Sequence, residues 1–220
     1  MRSALYGLFS LATVLALSFS PVYFFSKRRS ALPPTASQSE PVDRFRPEEK
    51  ALLREGDIVL RRGEGTVSDF IVAFLKETYP ITHCGVVVRR PDGLWVISSE
   101  SSPEADGIRC DPLTHFAGYA RKGSLAAVRP RLDETQRAAL LHASEWYLKA
   151  GKTFDKQFDM ADTTKFYCAE LMYHLFRHAT GEDYLPSRKP LTAYEVVHMD
   201  NFFAPERFDV LFNHAAQPAF

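Results

Sequence analysis

Thr82-His83-Cys84-Gly85-Val86-Val87-Val88-Arg89, then Arg90-Pro91-Asp92-Gly93, then Leu94-Trp95-Val96-Ile97-Ser98-Ser99-Glu100 is the stretch that decides the fold. Two runs rich in β-branched and aromatic residues flank a proline, an aspartate and a glycine at positions a tight turn tolerates, which predicts a β-hairpin. If Arg90 faces Gly93 across the turn, the register carried back places His83 opposite Glu100. Directly opposed side chains have Cβ atoms about 4.5–5.5 Å apart on one face. Glu100 could then hold one imidazole nitrogen and leave the other free, the arrangement that orients a catalytic histidine. A plain salt bridge at the hairpin end fits the same pattern, and a register slip would substitute Ser98 or Ser99 for Glu100.

Working outward, strands are expected at Asp57–Leu60, Gly107–Cys110, Leu125–Val128 and Arg207–Phe212, with a helical turn over Pro112–Phe116. Helices are expected from Pro47 to a stop at Gly56, and from the capping pattern Thr66-Val67-Ser68-Asp69 to about Tyr79-Pro80. A further helix runs from the cap at Asp133-Glu134-Thr135-Gln136 to Gly151, and Phe154–Phe158 reads as a loop. Thr192-Ala193-Tyr194-Glu195 also has a helix-capping pattern. The fold class is therefore α+β, an antiparallel sheet packed against helices.

Lysines and arginines balance aspartates and glutamates at 27 each, and no basic patch alternates with aromatics, which excludes an electrostatic footprint for nucleic acid. Ala4–Phe25 is apolar, uncharged and long enough to cross a bilayer. Residues 1–29 are read as a signal peptide or membrane anchor, giving a membrane-associated or exported protein, and Ser18-Phe19-Ser20 resembles a cleavage site spoiled by Pro21. The lysine and arginines at 27–29 favour keeping the folded domain on the cytoplasmic side, against the usual result of an N-terminal signal. Residues 30–45, rich in Pro, Ser, Thr and Ala, are a flexible linker, and 46–220 form the folded domain.

Cys168 begins a helix whose Leu171, Met172, Leu175 and Phe176 follow it on one face. A thiol there feels unpaired N–H groups and the positive end of the helix dipole, both of which favour thiolate. A packed, inert thiol fits the helix equally well. With His83 as base and Glu100 as orienter, however, Cys168 has the partners a nucleophile needs. Cys84, next to His83 on a strand, should face the other way and be structural. The cysteines lack a Cys-x-x-Cys pair, and a Cys84–Cys110 disulfide is conceivable only in an exported domain. His174 and His178 are four apart but off the apolar stripe with no helper ligand, so no metal or other cofactor is expected. His115, His142, His198 and His214 read as surface or packing residues.

Gly56-Asp57-Ile58-Val59, Thr82-His83-Cys84-Gly85-Val86-Val87, Glu100 and Phe166-Tyr167-Cys168-Ala169-Glu170-Leu171 together resemble the permuted papain-like hydrolases of the NlpC-type superfamily, in particular the YiiX/YebB-like branch. The likeness runs from about Glu55 to Phe176. It departs from the family pattern at Cys84, usually apolar there, and at Ala169, often serine. The resemblance implies a papain-like cysteine amidase or peptidase in which Cys168 attacks, His83 is base and then acid, and Glu100 orients. It also implies that the Cys168 N–H helps hold the oxyanion and that Tyr167 lines the substrate pocket. The expected partners are peptides or small amides of cell-wall type. Lecithin:retinol acyltransferase-like proteins share the permuted order and act on lipid esters, and a membrane-tethered binding module with an inert cysteine is a third possibility.

Overall fold

The computed structural model describes residues 43–64, 66–102, 106–191 and 194–216, all within one compact unit. The apolar N-terminal segment and most of the linker lie outside the described residues. Among the described residues no helix is long and apolar enough to cross a membrane.

The frame is a six-stranded antiparallel sheet of β1 (Ile58–Arg61), β2 (His83–Arg90), β3 (Gly93–Ser101), β4 (Asp106–Pro112), β5 (Ala126–Pro130) and β8 (Phe208–Asn213), in the order β4-β3-β2-β1-β5-β8. The β2–β3 register is the one the turn dictates, with Arg90 opposite Gly93 and Val86 opposite Ile97. On the other side β2 pairs with β1, which sets Arg61 opposite His83. The strand period of two then divides the side chains. Ile58, Leu60, Cys84, Val86, Val88, Ile97 and Val128 share the core with two helices, α4 (Glu134–Ala150) and α5 (Cys168–Thr180). Val59, Val87, Val96 and Ala127 form a second core with Phe45, Leu53, Leu113 and Phe116. Burying Leu171, Met172, Leu175 and Phe176 of α5 against the first face stabilises the fold by about 2 kcal/mol for each side chain.

The helix ends follow local chemistry. Asp133 caps α4 through Gln136 N–H at 2.8 Å, and the side chain of Gln136 returns the bond to Asp133 N–H at 3.1 Å. Gly151 and Gly181 close α4 and α5 in the left-handed conformation. The first helix, α1 (Pro47–Leu52), stops short of Gly56, which instead turns the chain into β1 at φ +87°. The second, α2 (Thr66–Leu75), stops before Tyr79 because Lys76 takes φ +49°. A short helix α3 (Leu113–Gly118) occupies the expected turn after β4.

One expectation is overturned. Tyr194–Val197 does not enter a helix but forms strand β7, paired with β6 (Arg188–Leu191) in a separate hairpin. Two adjacent valines buried at the end of this segment favour the pleated strand over a helix that its polar start could cap.

Candidate active site

His83 enters the site from the first residue of β2, on the face of the second core. Its ring lies 5.5 Å from that of Phe116 and nearly parallel to it. Glu100, near the end of β3, reaches the same face, and its Oε1 stands 3.0 Å from His83 Nε2. The pair meets as the turn register requires, although the continuous ladder of β2 with β3 stops at Val86 and Ile97. The N–H of Nε2 does not point well enough at the carboxylate for a good hydrogen bond, so the attraction is chiefly charge on charge. Ser98 and Ser99, the other candidates for orienting the ring, do not serve it. Ser98 Oγ is buried without a hydrogen-bond partner among the described residues, and Ser99 donates to the carbonyl of Phe166 at 2.5 Å.

Arg61 completes this cluster from β1. Its Nη2 lies 2.7 Å from the same Glu100 oxygen, its Nη1 donates to the Tyr119 carbonyl, and its guanidinium sits 4.9 Å above the Phe116 ring. Both members of the Arg61–Glu100 pair are buried, so water does not weaken the pairing. Burial pushes the Glu100 carboxyl upward, but His83 and Arg61 reverse this and hold it well below the usual carboxylate range.

Cys168 is the first residue of α5, where its backbone N–H has no partner within the helix. The Ser99 bond to Phe166 O and the Glu170 carboxylate bonded to the Tyr167 N–H at 3.2 Å fix the approach to this turn. The thiol lies at the edge of the sheet between two neighbours on β2. Cys84 faces away from His83, as expected, but that direction brings it against Cys168 rather than into inert packing. The Cys84 thiol beside it is the largest influence lowering the pKa of the Cys168 thiol. Burial opposes it, while the His83 charge and hydrogen bond and the Cys84 backbone N–H add to it. In its protonated form Cys168 also donates to the Thr82 carbonyl, 3.8 Å from Sγ, a long and weak bond. Cys84 itself is pushed far up by burial and by the neighbouring sulfur, so it remains the proton donor of the pair.

For His83, burial and Arg61 disfavour the charged ring, but Cys168 and Glu100 outweigh them and the pKa is raised. With Nε2 at Glu100, Nδ1 is the nitrogen left for the sulfur. The Cys168 thiol is thus lowered and the His83 imidazole raised, each by the presence of the other.

Tyr167 is buried, and its hydroxyl accepts the Val197 N–H at 2.9 Å, so it anchors β7 to the start of α5. All three cysteines are free thiols, and Cys110 lies against Arg90 rather than Cys84. His174 pairs with Glu170 at 3.8 Å and His178 is exposed. His198, expected at the surface or in packing, is buried beside Glu77 and Asp200.

No protein-family model and no curated protein matches the chain. Among solved structures, the crystal structure of metalloprotein YiiX from Escherichia coli O157:H7, DUF1105, superposes with a TM-score of 0.61 at 19% identity. The match covers 73% of this chain and 97% of that one. The fold is YiiX-like. At this identity the likeness carries the YiiX-like architecture alone, a six-stranded antiparallel sheet packed against helices. Arg61 is a site residue that no motif singled out, and Cys84 was read as structural. The strand alternation that puts Val59 on the face of the second core puts Arg61 there too, and this signal could have found it.

Proposed function

We propose that this YiiX-like chain is a cysteine hydrolase of papain-like type that cleaves amides, with peptides or small amides of cell-wall type as substrates. The observation that carries the reading is the convergence of Cys168, at the start of α5, with His83, whose pKa it raises, and with Glu100, whose Oε1 lies 3.0 Å from His83 Nε2. In the first step the Cys168 thiolate attacks the carbonyl carbon, and the oxyanion forms beside the unpaired N–H at the start of α5. His83 then gives its proton to the departing amine, leaving a thioester. A water that loses its proton to His83 cleaves the thioester and releases the acid. Glu100 stabilises the imidazolium, and Arg61 keeps Glu100 ionised and in place.

YiiX is described as a metalloprotein. In the triad of this chain the donors are already engaged, and the Arg61 guanidinium takes the position beside Glu100 that a cation would need. No step of this mechanism passes through a metal. A lipid ester is the second reading. It is favoured by Phe70 and Phe74, which stack 5.6 Å apart and lie largely exposed on α2, close in sequence to Ser68, whose hydroxyl meets that of Thr82 beside His83.

Incubating the purified full chain with muropeptides and, separately, with phospholipid vesicles, with Cys168→Ala as the blank, tests both. Release of amines from peptides, abolished in Cys168→Ala and reduced at least about a hundredfold in His83→Ala, is the expected result. Fatty-acid release with the same dependence would favour the lipid reading. Hydrolysis undiminished in Cys168→Ala would sink the mechanism.

A further inference from the structure

A second cluster of chemically capable side chains lies outside the triad, where the segment between α2 and β2 meets the turn after β7. Glu77, His198 and Asp200 each present a ligand atom, and the three atoms lie within 4.8 Å of one another. His198 Nε2 contacts Glu77 Oε2 and stands 3.5 Å from Asp200 Oδ2. His198 is 8% exposed, and this nitrogen is wholly buried with no hydrogen-bond partner among the described residues. Held between two carboxylates without a well-directed hydrogen bond to either, this buried imidazole nitrogen is better satisfied by a cation that accepts its lone pair.

The surroundings fix all three groups in place. Ser187 Oγ lies 3.2 Å from Nδ1 of His198, which suits a tautomer with the proton on Nδ1 and the lone pair on Nε2. The Met199 and Asp200 N–H groups donate to Glu77, and the Thr78 N–H and hydroxyl donate to Asp200 at 2.6–3.1 Å. Asn201 ties the two sides of the turn by donating to the carbonyls of Ser187 and His198. Lys189, the nearby cation, spends its amine on the carbonyls of Leu75 and Lys76. A cleft lined by Ser187, Asp200 and Asn201 opens beside the cluster and gives an ion a way in.

We infer that Glu77, His198 and Asp200 form a binding site for a divalent first-row transition ion, with zinc and manganese as the best-fitting class. One imidazole and two carboxylates without sulfur suit such ions, and three protein ligands leave positions for water. The ion would clip the segment leading into His83 to the segment after β7, so its effect is on stability.

The test uses the full chain, stripped with a chelator and dialysed against Zn²⁺ or Mn²⁺, in parallel with Mg²⁺ and Ca²⁺. The expected result is one retained zinc or manganese ion per chain and a rise in Tm of about 5 °C or more at a hundredfold excess over Kd. Glu77→Gln and Asp200→Asn should retain less than a tenth as much, while Cys168→Ala retains it fully. Should those variants fail to fold, Co²⁺ loaded into the unaltered chain decides, because a nitrogen and oxygen site lacks a thiolate charge-transfer band. Retention unchanged in Glu77→Gln and Asp200→Asn, loss in Cys168→Ala, a thiolate band, or binding of only Mg²⁺ and Ca²⁺ would each overturn the inference.

Discussion

Arg61 lowers the pKa of Glu100 and Cys84 that of Cys168, two members of the proposed triad, and their removal should have separable effects. Arg61→Gln leaves Glu100 buried with a weaker partner, and breaking a buried pair costs about 3–5 kcal/mol. Urea denaturation should show a loss of that order. Cys84→Ala takes one sulfur out of the core and removes the thiol that lowers the Cys168 pKa. A bond to a charged group is worth about 1.5–3 kcal/mol, so alkylation of Cys168 at pH 6 should slow by about tenfold or more. For the proposed hydrolysis, the pH profile of kcat/KM is expected to follow the same directions: rising as Cys168 ionises, on a limb displaced to the acid side of a free thiol, and falling as His83 loses its proton, on a limb displaced above 6.5. The result is a bell, and His83→Ala should remove its alkaline limb. At this scale His83, Glu100 and Cys168 were legible because a turn and a helix start fix them from neighbouring residues. Arg61 and Cys84 were not, since their partners lie across strands or on a helix distant in sequence.

Among the elements, β2 bears the greatest constraint. A Cβ at Gly85 would come within 2.4 Å of Val96 Cγ1 and 2.9 Å of the Ile97 carbonyl, so β3 can lie this close only beside glycine. Gly85→Ala should push the strands apart next to His83. A loss of about 1–3 kcal/mol in thermal unfolding is expected, with a much larger fractional loss of hydrolysis than the stability change alone would produce. The hairpin was readable because Pro91, Asp92 and Gly93 fix its register locally. The β6–β7 pair was not, because Thr192-Ala193-Tyr194-Glu195 satisfies the local rules for a helix start and only the burial of Val196 and Val197 decides otherwise. The end of α2 was misplaced for a related reason, since nothing in the residues after Leu75 announces the left-handed Lys76.

Across the whole molecule, the α+β class and the antiparallel sheet followed from the spacing of turns and apolar runs. The strand order did not, because pairing β5 with both β1 and β8 depends on how the later chain returns to the sheet. That return also governs when the site comes into being during folding. The hydroxyl of Ser99 holds the carbonyl of Phe166 across 67 positions of chain, and Thr82 meets Cys168 across 86. Contacts of such long range form late, because the entropy of closing the loop is lost before they return any energy. Until they form, Cys168 has neither Cys84 nor His83 beside it and behaves as an ordinary thiol, mostly protonated at neutral pH. In stopped-flow refolding followed by pulses of alkylating reagent at pH 6, rapid labelling of Cys168 should therefore lag behind the recovery of the far-ultraviolet circular dichroism signal. A chain still emerging from the ribosome would carry its nucleophile in an unarmed form, and reactivity would arrive as the last consequence of closure.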